Sequence, residues 1–143
     1  MEHLWLVFGL LSACSASLVG IFGKLGLQSA DPNAATAIRA VIMAVFLLVV
    51  VLVQGNMQQI PAIIADKKTL LYIVLSGLAG ALSWLFYFWA LKFGKVSQVA
   101  PIDKLSVVIA TVLAVVILGE KINFLNALGI VLIAVGALIV SIS

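Results

Sequence analysis

The sequence predicts an all-α integral membrane protein, a bundle of five transmembrane helices. Three observations predict it. First, 65% of the residues are hydrophobic and only 9% are charged, against about 25% charged in a soluble domain, so the chain cannot present an ordinary water-facing surface. Second, the apolar residues gather in uncharged runs with a mean hydropathy of +1.34 for the whole chain. A hydrocarbon core ~30 Å thick needs roughly 20 helical residues, and five runs meet that ruler. Third, Lys and Arg lie mostly between the runs, as membrane-flanking residues do. The net charge of +3 is scattered. It forms no basic stripe, so a nucleic-acid partner is not expected.

The first span runs from 4 to 23, uncharged between His3 and Lys24. "LLSAC", ending at Cys14, looks like a lipoprotein cleavage box, but "MEH" lacks the positive residues of a signal peptide and the apolar run continues to Gly23, so a retained helix is expected. A lone cysteine leaves no intrachain disulfide. The span is rich in small residues: Ser12, Ala16 and Gly20 repeat at four, as do Gly9, Ala13 and Ser17. That spacing lets helix backbones approach closely, and small residues on both faces suggest a central helix with neighbours all round. Gly77, Gly80 and Ala81, then Gly129, Gly136 and Ala137, are similar positions in later spans.

The second span covers 32–53. Asp31 is placed to cap it and Pro32 suits its first position. The connection "QGNMQQIPAIIADKK" mixes amides with isolated isoleucines and is expected at the headgroup level. The third span covers 70–91, entered through Asp66, Lys67 and Lys68 and left at Lys92. The fourth covers 97–118, and the fifth covers 124–142 after the break "GEKIN". The whole chain, 1–143, reads as a single membrane domain.

The fourth span carries an acid beside a base. The uncharged stretch from Leu105 to Gly119 reaches only ~22 Å as a helix, short of a ~30 Å core. The helix must extend back through Lys104 and Asp103, past Pro101, which puts the pair a turn or so inside the apolar boundary. Arg39 lies about two turns inside the second span from the same membrane face. Charges at such depth cost roughly 2.5–3.5 kcal/mol each at mid-helix and are expected to pair or to mark a solute path. Pairing of Asp103 with Arg39 or Lys104 is expected, and Lys24 reads as a snorkelling end residue. In the third span Trp84, Tyr87, Phe88 and Leu91 share a helical face. Tyr87 and Trp89 also suit an interfacial belt. Trp84 is deeper and suits either cavity lining or helix packing.

Chemistry-bearing motifs are missing. His3 has no Cys or acid cluster for a metal, and there is no phosphate loop or serine with an adjacent base. The reading is not an enzyme, with no cofactor.

Four stretches then carry a likeness: "GIFGKLGL", "ATAIRA", "YFWALKFG" and "LGEKINFLNALGIVLIAVGALIV". Together the sequence resembles the EamA-like half of the drug/metabolite transporter superfamily. The resemblance implies a secondary transporter of small organic metabolites or drugs. It also implies one half of a ten-helix inverted-repeat transporter, since typical members join two five-span halves in opposite orientation. Smaller multidrug relatives place an acid in the first helix. Here none lies between Glu2 and Asp31, which leaves Asp103 as the candidate proton carrier, with Glu120 an interfacial helix-end residue.

An odd number of spans puts the termini on opposite faces. Lys67, Lys68 and Lys121 flank one face, and Lys24, Lys92 and Lys95 the other, the balance that insertion in both directions needs. The expected assembly is a homodimer in the lipid bilayer, antiparallel or parallel, or a pairing with a separate partner chain. The expected compartment is a bacterial or archaeal inner membrane. The solute site is expected among Ser12, Ser15, Arg39, Trp84, Tyr87, Asp103 and Lys104. The alternative is a non-transporting membrane partner or flippase-type subunit that completes another small transporter.

Overall fold

The computed structural model describes residues 4–142. Glu2 and His3, which the sequence reading sets before the first span, lie outside the described residues. No strand occurs among the described residues, and five helices are long and apolar enough to cross a membrane. They are α1 (Leu4–Gly26), α2 (Pro32–Val53), α4 (Lys67–Phe93), the consecutive pair α5 (Val96–Asp103) and α6 (Leu105–Leu118), and α7 (Phe124–Ile142). A 3₁₀ turn (Asn56–Gln58) and the short α3 (Gln59–Ala65) fill the longest connection. Pro61 sits in the first turn of α3, where its missing N–H removes no helix bond.

The ends of these helices follow from local chemistry. Asp31 is extended at the head of α2, and its Oδ1 accepts the Ala34 N–H at 3.0 Å, with Pro32 in the first turn. Asp66 plays the same part for α4. Its carboxylate accepts the N–H groups of Lys68 and Thr69 at 3.1 and 3.4 Å and the Thr69 hydroxyl at 2.6 Å. The Thr69 hydroxyl first, then the Thr69 amide, holds this carboxyl below the ordinary aspartate value. Gly55 follows α2 with φ 72° and Gly119 follows α6 with φ 69°. Both occupy the left-handed region, where a Cβ is strained.

The fourth span is helical on both sides of the charged pair, as its length demands. Val96 to Leu118 makes 23 residues, ~34 Å of helix, whereas α6 alone would reach only ~21 Å. The helix is interrupted at one point, Lys104. Here the bonds shorten to i+3: Lys104 N–H to the Pro101 carbonyl at 3.0 Å, and Val107 N–H to the Lys104 carbonyl at 3.0 Å. The tightened turn lies three residues beyond Pro101, and the ladder resumes after it.

The chain forms two compact units, one holding α1 as far as Lys24 with α5, α6 and α7, the other running from Leu25 to Lys92. In the first, α7 packs along both α5 and α6, with Ala137 buried. In this unit Lys24 Nζ also donates to the Gly94 carbonyl at 2.8 Å. In the second, the buried core is small and lies at the end of α4, made of Leu27, Phe88 and Leu91. There Lys92 Nζ donates to the carbonyls of Leu27 and Ala30 at 2.8 and 3.2 Å. Cations thus satisfy carbonyls exposed where helices stop. Most other large apolar side chains are exposed, as expected where the solvent is lipid.

Small-residue packing is only partly realised within one chain. Gly20 is buried, but Gly9, Ser12, Ala13, Ser15, Ala16 and Ser17 are exposed. A Cβ placed at Gly9, Gly77, Gly80, Gly129 or Gly136 would meet no neighbour within 4 Å. Within its own unit α1 thus does not have neighbours all round.

Two outcomes test these helix ends. A Cβ at Gly119 has open space, so Gly119→Ala should cost only the left-handed conformation, about 1 kcal/mol. Unfolding in mixed micelles reads this, and an unchanged stability would show that the turn relaxes freely. For Asp66, a folded-state value lowered from 3.8 contributes stability in full above that value and loses it as pH falls through the lower folded value. Thermal unfolding below about pH 3.8 should therefore weaken the native chain more steeply than Asp66→Ala; equal slopes would dismiss the cap as an acid-sensitive element.

Candidate functional site

The Asp31 cap fixes where α2 begins, and so how deep Arg39 sits. Seven residues beyond Pro32 is about 10 Å of helix, well inside a hydrocarbon core of ~30 Å. There the guanidinium carbon lies 3.6 Å from the centroid of the Trp84 ring and 5.6 Å from that of Phe88. Trp84 in turn meets Tyr87 edge-on, with centroids 5.5 Å apart at 83°, and Phe88 at 6.2 Å and 89°. Phe88 and Leu91 are buried, while Arg39, Trp84 and Tyr87 are half-buried. The spacing 84, 87, 88, 91 is one face of a helix, and this face of α4 receives the cation. A desolvated cation–π contact contributes ~2 kcal/mol or more. The insertion cost of the charge is ~2.5–3.5 kcal/mol, so the aromatic bed offsets much of it.

The Trp84 ring lies against the guanidinium, and Phe88 is farther off. Among the described residues Arg39 makes no hydrogen bond or ion pair. Its in-plane N–H donors are therefore available to a ligand.

Six residues back along α2 and five forward along α4, Trp89 Nε1 donates to Asn33 Oδ1 at 2.8 Å. The two contacts define an antiparallel register between α2 and α4. Sequence reasoning missed Asn33 and gave Trp89 only an interfacial role. Lys92 was read as a flanking charge and is a carbonyl clamp. The available signal was positional: once Arg39 faces Trp84, antiparallel geometry brings Asn33 to Trp89.

The other expected residues fall in the first unit. Asp103 Oδ2 and Lys104 Nζ pair at 3.2 Å, on either side of the tight turn, with 35% of the Asp103 side chain exposed. Lys104 is thus a partner of Asp103. Ser12 and Ser15 are exposed on α1, and the Ser15 hydroxyl is engaged by the Leu11 carbonyl of its own helix at 2.9 Å. The expected residues come together as two sets: Arg39, Trp84 and Tyr87 in one unit, Asp103 and Lys104 in the other.

A groove of about 330 Å³ between α6 and α7 is lined by Val108, Thr111, Val112, Val115, Ile130 and Val131, among others. Its one hydroxyl, Thr111 Oγ1, donates to the Val107 carbonyl of its own helix. Nothing there would orient a polar solute, which a ligand site needs. No group of three or more His, Cys, Asp or Glu gathers among the described residues.

No solved structure is significantly similar. An uncharacterized protein of Methanocaldococcus jannaschii is 28% identical, over 96% of each chain. A Sinorhizobium chain described as an uncharacterized transporter in the cobO 3′ region is 42% identical, over 99% of each chain. The model of the EamA-like transporter family matches residues 3–142, which takes in all five spans, and the chain belongs to that family of membrane transporters.

Proposed function

We propose that the chain is a secondary transporter of small organic metabolites or drugs, working by alternating access as a homodimer whose two copies insert in opposite directions. One observation carries the reading most directly: Arg39 is held inside a span, on a bed of aromatic rings, with its hydrogen-bonding edge open. A cation there would orient a polar solute, and Trp84 and Tyr87 would cover its apolar part. Asp103 and Lys104 supply a second polar station within a span, with Asp103 as carrier if coupling is to protons. Ser12 and Ser15 complete the proposed lining on α1.

The Sinorhizobium relative is matched over 99% of its own length by 142 residues, so that relative is of five-span size, which supports a dimer of halves. Five spans put the termini on opposite faces, and an opposed second copy would rebuild an inverted pair with its site near the midplane. The small-residue positions that meet no neighbour within one chain are suited to a second bundle. The bacterial and archaeal relatives support placement in a prokaryotic cell membrane.

Transport by the purified chain alone in liposomes, scanned with amino acids, amines and nucleosides, is the deciding measurement. Activity that appears only with a second chain present would favour the partner-subunit alternative. For a solute found this way, Asp103→Asn should lower uptake at least about tenfold, ~1.4 kcal/mol at the barrier, while insertion and gel-filtration behaviour stay normal. Failed assembly of that variant would assign the pair to packing instead. Labelling of tags at both termini should find each accessible from either side of the membrane; a single orientation in cells would exclude the antiparallel dimer.

A further inference from the structure

We infer that Arg39, Trp84 and Phe88 form a receptor for an organic carboxylate with an aromatic or alkyl body, and that amines of the same size are excluded from it. The inference rests on the transporter reading and names the solute class that its α2–α4 site selects.

The argument starts from charge balance. Neither α2 nor α4 contains an Asp or Glu. The acids that precede them, Asp31 and Asp66, are engaged as caps by backbone N–H groups and, at Asp66, by Thr69. Arg39 therefore brings an unbalanced positive charge about 10 Å into its span. Trp84 at 3.6 Å compensates part of that charge with the face of a ring, but a quadrupole is no counterion.

Geometry then selects the ligand. With Trp84 against it, the guanidinium still offers its N–H groups in its own plane, the direction from which a carboxylate accepts two parallel bonds. Half-buried Trp84 and Tyr87 beside it provide apolar surface for the body of such an anion. An ammonium group at the same place would meet a like charge in a medium of low dielectric, where repulsion is strong. A phospholipid phosphate has the same oxyanion chemistry and is the competing source, so the test separates the two.

The purified chain in phosphatidylcholine nanodiscs is titrated by calorimetry with benzoate, indole-3-acetate and octanoate, and with benzylamine, tryptamine and octylamine. At least one carboxylate should bind and its matched amine should not. Arg39→Gln should weaken carboxylate binding at least about tenfold, as loss of a charged hydrogen-bond pair does. Arg39→Lys, which keeps the charge but not the fork, should weaken it several-fold, and Trp84→Phe less than Trp84→Ala. If Arg39→Gln does not fold, the Lys and Phe variants carry the reading. Amines that bind as tightly as the acids, no carboxylate that binds, or variants that bind like the native chain would overturn the receptor. In phosphatidylglycerol discs, retained carboxylate binding supports it, and abolished binding assigns Arg39 to lipid phosphate and overturns it. Liposome uptake keeps the two readings apart. Carboxylate binding without uptake of any solute would leave the receptor and remove transport, whereas uptake of other solutes without carboxylate binding would do the reverse.

Discussion

The stacking of Arg39 on Trp84 is the contact from which the α2–α4 arrangement follows. In lipid, burying a Leu against another helix gains little over leaving it among acyl chains, so hydrophobic burial does not choose which helix faces meet. A cation does choose, because leaving it uncompensated costs ~2.5–3.5 kcal/mol. Its pairing at 3.6 Å with one indole fixes which face of α4 turns to α2. The rest of the ladder comes into place from there: Trp89 on Asn33 at 2.8 Å, then Lys92 on the carbonyls of Leu27 and Ala30. The few buried apolar side chains of this unit, Leu27, Phe88 and Leu91, lie along that ladder.

Helix ends are the second constraint. Each helix leaves terminal N–H and C=O groups without intrahelical partners, and several ends here are met by a specific device. Asp31 and Asp66 supply acceptors at N-termini, glycines with positive φ turn the chain at Gly55 and Gly119, and Lys24 and Lys92 reach carbonyls beyond C-termini. A lysine read only as a snorkelling anchor keeps its head in water. Lys24 and Lys92 use part of their donor capacity on the backbone instead, so these membrane-edge charges position helices as well as marking the interface.

What could be read in advance divides along the same lines. The five-span, all-helical architecture was legible because hydropathy and the 1.5 Å rise leave no other way to cross ~30 Å of hydrocarbon. The same ruler required α6 to be prolonged back through Lys104 and Asp103, and α5 is that prolongation. The tightening at Lys104 was less legible: Pro101 announces a weakened turn but not on which residue it falls. Arg39 was legible as a charge within a span, and Trp84 and Tyr87 as one face of another, yet their juxtaposition needed the orientation of α4 about its own axis, which a nearly uniformly apolar helix does not encode. Asn33 was invisible for a related reason. An amide in the first turn of a helix looks like ordinary end chemistry until an indole is found opposite it.

The charges held within spans differ in one respect that bears on function. Asp103 and Lys104 are neighbours in sequence and neutralise each other at 3.2 Å, so that unit carries no net charge at their level. A neutral pair on a tight turn is compatible with lipid depth without any further group. Arg39 lies over aromatic rings and makes no ion pair among the described residues, and its charge is not neutralised there. A self-sufficient pair contributes stability whether or not anything else is bound. A cation compensated only by quadrupoles is more stable once an anion arrives, and a site whose stability rises on binding is one whose ligand can shift a conformational equilibrium. By that reasoning the aromatic bed under Arg39 does more than reduce the cost of a charge in the membrane: it leaves the charge incompletely answered, which is the condition the proposed carboxylate needs in order to be recognised.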